Sequence, residues 1–415
     1  MFRYIVLVSA VLFFSCSRIQ LKKAVRQNGL DKIHTGFMVE DLETGKVLFA
    51  KNENQFFMPA SNMKLLTFLM ANRELKDKTP AFVYQEKNDS LFFWGAGDPS
   101  FLHPDFQNQS LIDFLKSQKK ELVYAEEKAI KPLGTGWAWD DYPDYYSAEV
   151  STLPMYGNLV NFKKINDTWE VSPGFFRNNT YYTEENRSVR DRNENRFFIN
   201  PSMKSFQSPF ITTPEQVTHM LVGLVKKTIN YEQRIIPNDA QLMYVTPLDS
   251  LLKPLMYHSD NMIAEQLLVQ IGTVLKTGQN PEEVIKRFQM DSKEAFIKEI
   301  KWVDGSGLSR YNLMRPKDLI GVLKAIYKEM PTNRWQALLP QAGKNGTLKN
   351  VQIKEPNLQI WAKSGSFANT YNLSGFAKTP KGKWLAFSVM SNLANQSVAA
   401  SKSQIVQFIN QLDSF

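Results

Sequence analysis

The chain has 415 residues, 43% of them hydrophobic and 22% charged. It is long enough for two or three domains and apolar enough to bury a sizeable core, which excludes global disorder. The formal net charge is +9, yet both signs are mixed along the chain and there is neither a basic arm nor a nucleic-acid motif; the excess of lysine reads first as an ordinary polar surface and second as attraction to an anionic envelope or polymer.

The N-terminus opens with Met1-Phe2-Arg3, followed by an apolar run over residues 4–14. That run is too short to anchor in a bilayer and suits a secretion signal. It ends at Cys16, the only cysteine of the chain, which excludes an intrachain disulfide. The segment Leu12-Phe13-Phe14-Ser15-Cys16 resembles a lipobox, so residues 1–15 are expected to be removed and Cys16 to carry lipid. Two apolar runs around Glu43-Thr44-Gly45 predict a β-hairpin. Met58-Pro59-Ala60 then turns the chain into a predicted helix from Ser61 to about Leu75, with Met63, Leu65, Leu66, Leu69 and Met70 as its buried stripe.

Residues 76–244 are rich in Asn, Asp, Pro and aromatics, with short β-like runs such as Leu91-Phe92-Phe93-Trp94. They read as one or two inserted, turn-rich subdomains. Helical periodicity returns after Pro247 in two stretches separated by Ser259-Asp260-Asn261. A strand is predicted near Leu358–Ala362, two more over 372–377 and 384–390, and a last helix from about Val398 to Leu412. Strands and helices at both ends of the chain predict one discontinuous α/β domain over 16–75 and 245–415, interrupted by the insert 76–244.

The chemistry concentrates at Ser61-Asn62-Met63-Lys64. On a helix, spacing i, i+3 puts both side chains on one face, so Lys64 can take the proton that makes Ser61 a nucleophile. The helix start adds partial positive charge and free N–H groups where an oxyanion would form. The motif alone is weak, because Ser117-Gln118-Lys119-Lys120 repeats it. Ser61 has company: Ser259-Asp260-Asn261 and, at the end of a predicted strand, Lys363-Ser364-Gly365-Ser366. Ser-x-x-Lys, Ser-Asp-Asn and Lys-Thr/Ser-Gly in that order form the signature of penicillin-recognising serine enzymes. A decoy, Lys276-Thr277-Gly278, follows a helix and runs into Asn280-Pro281, so it is no site strand.

Further segments carry the resemblance: Gly95-Ala96-Gly97-Asp98-Pro99, Asp304-Gly305-Ser306-Gly307-Leu308-Ser309 and Gly343-Lys344-Asn345-Gly346-Thr347-Leu348. With the three motifs, the chain from Gly36 onward resembles the penicillin-binding protein 4 type of D-alanyl-D-alanine carboxypeptidase/endopeptidase, least so between about Thr180 and Pro247. The resemblance implies an α/β (α+β) fold of the β-lactamase/transpeptidase kind, an antiparallel sheet flanked by helices with inserted, mainly-β subdomains. It implies that Ser61 forms an acyl-enzyme on peptidoglycan stem peptides, that Lys64 accepts its proton, and that Ser259 relays a proton to the leaving amine. Asn261 would hold Lys64 and the substrate amide, and Lys363 would supply positive potential that lowers the pKa of Lys64. Ser364, Gly365, Ser366 and Asp260 would contact substrate, with the N–H groups of Ser61 and Ser366 as oxyanion hole. It further implies inhibition by β-lactams, no metal or organic cofactor, and a place in the cell envelope or periplasm with the membrane reached through the Cys16 lipid. A β-lactamase or esterase on the same fold, and a non-catalytic envelope lipoprotein, are the alternatives.

Other features have blander readings. His258 precedes Ser259 and reads as a neighbour of the site rather than a base, and no Gly-x-Ser-x-Gly elbow exists. Gly95-Ala96-Gly97-Asp98 lacks the third glycine of a dinucleotide loop and reads as a turn. Asp304-Gly305-Ser306-Gly307 reads as a structural loop. Trp137, Trp139, Tyr142, Tyr145 and Tyr146 suit a core or subdomain interface, with stacking on glycan as the functional option.

Overall fold

A computed structural model describes residues 19–128 and 130–415. The expected signal segment 1–15 and Cys16 lie outside the described residues. The described residues divide into two compact units: those up to 69, 252–259 and 288–415 in the first, and those of 70–251 with 260–287 in the second.

The first unit is built on an all-antiparallel five-stranded sheet in the order Gln359–Phe367, Thr370–Lys378, Trp384–Asn392, His34–Asp41, Val47–Lys51. The two ends of the chain meet inside it, because His34 pairs with Asn392 and Asp41 with Leu385. The hairpin turn works as its residues dictate. Asp41 Oδ1 accepts the N–H groups of Glu43 and Thr44, and Gly45 takes the left-handed conformation. Alternation does the rest. Phe37, Val39, Leu373, Phe387 and Val389 face one layer, where the helix over 19–27 contributes Leu21, Ala24 and Val25, and the helix Val398–Ile409 contributes Ile405 and Phe408. On the other side Trp361, Phe376 and Trp384 meet Trp335, which is fully buried.

The second unit has a mixed five-stranded sheet in the order Ile229–Gln233, Glu121–Glu126, Ser90–Gly95, Lys78–Lys87, Gln241–Pro247, and two three-stranded sheets. Two pairings of the five-stranded sheet are parallel, which requires crossovers. The helix Ser110–Ser117 makes one and Pro214–Val225 the other. Neither helix was expected in this turn-rich segment. The second had a readable start: Thr213 accepts from Gln216 N–H, and Pro214 occupies the first turn.

The second unit also reaches beyond the boundary expected at 244, through the helix Asn261–Leu275. Buried amides explain this. Gln266 donates to the carbonyls of Gly97 and Ser151, and Gln270 donates to that of Pro80. Among the described residues no helix is long and apolar enough to cross a membrane.

Candidate active site

The turn that carries Ser61 is a 3-10 segment, Ala60–Met63, and the α-helix begins only at Lys64. The expected helix therefore starts three residues late. Ala60 has φ +47, a left-handed conformation that a residue with a Cβ seldom takes. Two asparagines hold this bend from the neighbouring strands. Asn372 donates to the carbonyls of Met58 and Pro59, each at 2.9 Å, and Asn392 Oδ1 accepts the Met58 N–H at 2.6 Å. Asn392 also donates to Asn372 Oδ1 at 3.2 Å, which locks the pair.

Lys64 is fully buried, with Nζ 3.2 Å from Ser61 Oγ and 2.7 Å from the Ser306 carbonyl. That carbonyl is supplied by the loop 304–309, which winds around the buried Asp304 carboxylate. Asp304 accepts the N–H groups of Gly307 and Ser309 and the amide of Asn312. Thr67, one turn past Lys64, donates to the Gly305 carbonyl at 2.6 Å. The small residues of this loop thus aim one backbone oxygen at the lysine. The loop was legible as structural, but its contact with Lys64 was not.

Ser259 and Lys363 join the same unit. Lys363 Nζ donates to Ser259 Oγ at 2.8 Å and to the Ser364 carbonyl at 2.7 Å. Ser259 has φ +59, a second left-handed residue at the site. Lys363 is fully buried, and its ammonium is held well below the ordinary lysine value, first by burial and second by the charge of Lys64. The influence expected of Lys363 on Lys64 thus also runs the other way.

The strand Gln359–Phe367 is the edge of its sheet. Ala362 N–H donates to Pro340 O and Ile360 O accepts from Ala342 N–H, so the backbone groups of these residues point off the sheet. By the alternation of an antiparallel strand, those of Ser364 and Ser366 do too. Gly365 brings this edge against the nucleophile turn: a Cβ there would lie 2.7 Å from Pro59 O, 2.8 Å from Ser61 N and 2.9 Å from Asn62 N. Ser364 Oγ sits 3.2 Å from Thr347 Oγ1, a partner that sequence reading quoted but gave no role.

Asp260 and Asn261 belong to the second unit. Asp260 caps the helix Asn261–Leu275 by accepting from Ile263 N–H, and Asn261 donates its amide to the Tyr146 carbonyl at 2.8 Å. Ser117 ends a surface helix and donates to Phe114 O, while Lys120 pairs with Glu86. Lys276 is a left-handed helix cap that reaches Asn238 O. Among the described residues no group of three or more His, Cys, Asp or Glu side chains converges as a metal site would require.

A serine beside a buried lysine, a second serine–lysine pair and an edge strand packed on the serine's turn are the arrangement of a serine acyl-transfer enzyme of the penicillin-recognising class. The chain belongs to the D-Ala-D-Ala carboxypeptidase 3 (S13) family, whose model matches residues 17–177 and 224–412, and is a serine-type D-Ala-D-Ala carboxypeptidase by that membership. It is 24% identical to D-alanyl-D-alanine carboxypeptidase DacB of Haemophilus influenzae, over 91% of this chain and 90% of that one. It is 23% identical to D-alanyl-D-alanine carboxypeptidase of an Actinomadura species, over 86% and 77%. The crystal structure of penicillin binding protein 4 from Haemophilus influenzae shares the fold, with TM-score 0.72, 21% identity and coverage of 94% and 98%. A predatory endopeptidase of Bdellovibrio bacteriovorus aligns with TM-score 0.53 at 16% identity.

Proposed function

We propose that this enzyme cleaves peptidoglycan stem peptides through a Ser61 acyl-enzyme, as a D-Ala-D-Ala carboxypeptidase that also opens cross-links, and that it works in the cell envelope or periplasm anchored by a lipid on Cys16. The observation that carries the reading is the contact of buried Lys64 with both Ser61 Oγ and the Ser306 carbonyl. Lys64 takes the Ser61 proton as Oγ bonds to the carbonyl carbon of the penultimate D-Ala. The oxyanion is received by the N–H groups of Ser61 and Ser366, donors worth about 10²–10³ in rate each. Lys363 passes a proton through Ser259 to the leaving nitrogen, which departs as free D-Ala when the C–N bond breaks. Water then attacks the ester, giving a proton through Ser259 to Lys363, and Lys64 returns its proton to Ser61 Oγ as the ester bond breaks, which restores both lysines. Ser364, with Thr347 beside it, and the Lys363 ammonium receive the terminal carboxylate.

Inhibition by β-lactams follows from the same acylation step, and a β-lactam complex of the Haemophilus influenzae protein exists on this fold. The lipid anchor and removal of residues 1–15 rest on the lipobox-like Leu12–Cys16 segment alone.

Fluorescent penicillin should label the wild type and leave Ser61→Ala unlabelled; equal labelling would overturn the nucleophile. Release of D-Ala from a pentapeptide, and of monomers from a cross-linked dimer, separates the two peptidase activities. Release from neither refutes the peptidase assignment. Palmitate incorporation that survives Cys16→Ala refutes the anchor.

A further inference from the structure

The second unit contains a groove of about 780 Å³ between the strands Leu159–Ile165 and Ser205–Pro209 and the segments around Tyr145 and Arg187. Its volume is that of a ligand site. Its floor is one face of a three-stranded sheet. Asn161 pairs with Gln207 and Lys163 with Ser205, and these polar residues share the open face, while Val160 and Phe162 fill the core behind it. The amides of Asn161 and Gln207 hydrogen-bond to each other. Tyr145 stands at the rim, 59% exposed, with its ring edge-to-face against Tyr146.

The charge is one-sided. Lys163, Lys164, Lys204 and Arg187 line the groove, and among the described residues Asp144 is the only carboxylate that does. Arg187 is bound to Asp144, and Lys164 reaches Asp167. Glu170 lies opposite Lys163 in the sheet register. Lys163 and Lys204 are exposed and make no ion pair among the described residues. Residues 186–188 and 203–207 of the lining fall in the stretch 178–223, which the family model leaves unmatched. The groove is therefore walled by both kinds of sequence: Tyr145, Asn161 and Lys163 lie in the matched stretch, and Arg187, Lys204 and Gln207 in the unmatched one.

We infer that this groove is a second binding site for the wall polymer: a glycan strand laid on Tyr145 and the Asn161–Gln207 amides, with stem-peptide carboxylates on Lys163 and Lys204. Paired amides and an exposed ring suit sugar hydroxyls and faces, and two unpaired ammoniums suit carboxylates. The inference rests on the proposed wall-peptide substrate, but binding here needs no turnover.

The test uses the full chain with Ser61→Ala and phosphate-free sacculi whose peptides have been trimmed to tripeptides, so no D-Ala-D-Ala bond is present. The protein should co-sediment with the sacculi, and Lys163→Glu/Lys204→Glu should weaken binding about three- to tenfold, as two exposed charge contacts would. In the active enzyme the same pair should raise KM for polymeric peptidoglycan by a similar factor, with kcat and the kinetics on a short D-Ala-D-Ala peptide unchanged. Both lysines are exposed, so the fold should tolerate the exchange. Equal sedimentation of the variant, or binding only to sacculi that retain phosphate polymers, overturns the inference. Failure to hydrolyse the short peptide would refute the peptidase reading and leave the sedimentation result standing by itself.

Discussion

Replacing Gly365 by alanine tests the site geometry most directly. Gly365 does not have a left-handed φ, so its backbone suits alanine and the obstacle is space. The new Cβ would meet Pro59 O at 2.7 Å, where ordinary contact begins at 3.4 Å, a shortfall of about 0.7 Å. Ser61 N and Asn62 N are nearly as close, at 2.8 and 2.9 Å. All three are backbone atoms, and the asparagine clamp on Met58 and Pro59 resists their retreat. The strand edge and the nucleophile must therefore part by a large fraction of an ångström. A misplacement near 1 Å costs about 10²-fold in rate, so acylation should slow by roughly 30- to 100-fold. Overpacking should also cost about 1–3 kcal/mol of stability. Gly375→Ala is the control, since its Cβ would press on Trp361 O and Ala362 of the neighbouring strand and not on Ser61. Both variants should lose stability, and only Gly365→Ala should lose the second-order rate of acylation by fluorescent penicillin. A Gly365→Ala rate within about threefold of wild type, or equal loss in the two variants, would refute the claim that this glycine seats the strand on the nucleophile.

The ammonium of Lys363 is held well below its usual 10.5, by burial and then by Lys64. A kcat/KM profile on a carboxylate-ended peptide should fall on its alkaline side well below pH 10.5, and a C-terminally amidated analogue should lack that limb; a limb at 10 or above would show Lys363 to be unperturbed. By linkage, the unfolded chain binds this proton more tightly, so the Lys363 contribution to stability rises with pH between its lowered value and 10.5. Asn372→Leu removes donors from the Met58 and Pro59 carbonyls and an acceptor from Ser391 N–H. It should destabilise the fold by about 2–3 kcal/mol in urea and slow penicillin acylation, whereas an unchanged acylation rate would show that the clamp does not position Ser61. In the second unit, burial lifts the Asp98 carboxyl from 3.8 to about 6. The folded state keeps that proton where the unfolded chain has lost it, so this group's contribution falls as pH rises from 3.8 to about 6, by roughly 3 kcal/mol. Denaturation at pH 4 and 6.5 should show this trend flattened in Asp98→Asn, and parallel curves for the two proteins would refute it.

Much of the chemistry was legible because it is local. Ser61 and Lys64 meet through helical spacing, and the hairpin at Glu43-Thr44-Gly45 closes through one aspartate and one glycine. Ser117 could be set aside by its company, and it is the last residue of a helix, bonded to Phe114 O. The two helices of the insert escaped notice because short periodic runs sit among turn residues, although Thr213-Pro214 marked one of them.

Sequence alone therefore determined the identity and order of the candidate groups: Ser61-x-x-Lys64, Ser259, Lys363. Tertiary structure decided what makes them a site. The Ser306 carbonyl on Lys64, the Asn372–Asn392 clamp under Ser61 and the outward parity of the Ser366 N–H all involve backbone atoms. Every residue has those atoms, so no side-chain pattern marks them. Their roles come from which loop is wound around Asp304 and which strand is left at the sheet edge, and only long-range packing sets either.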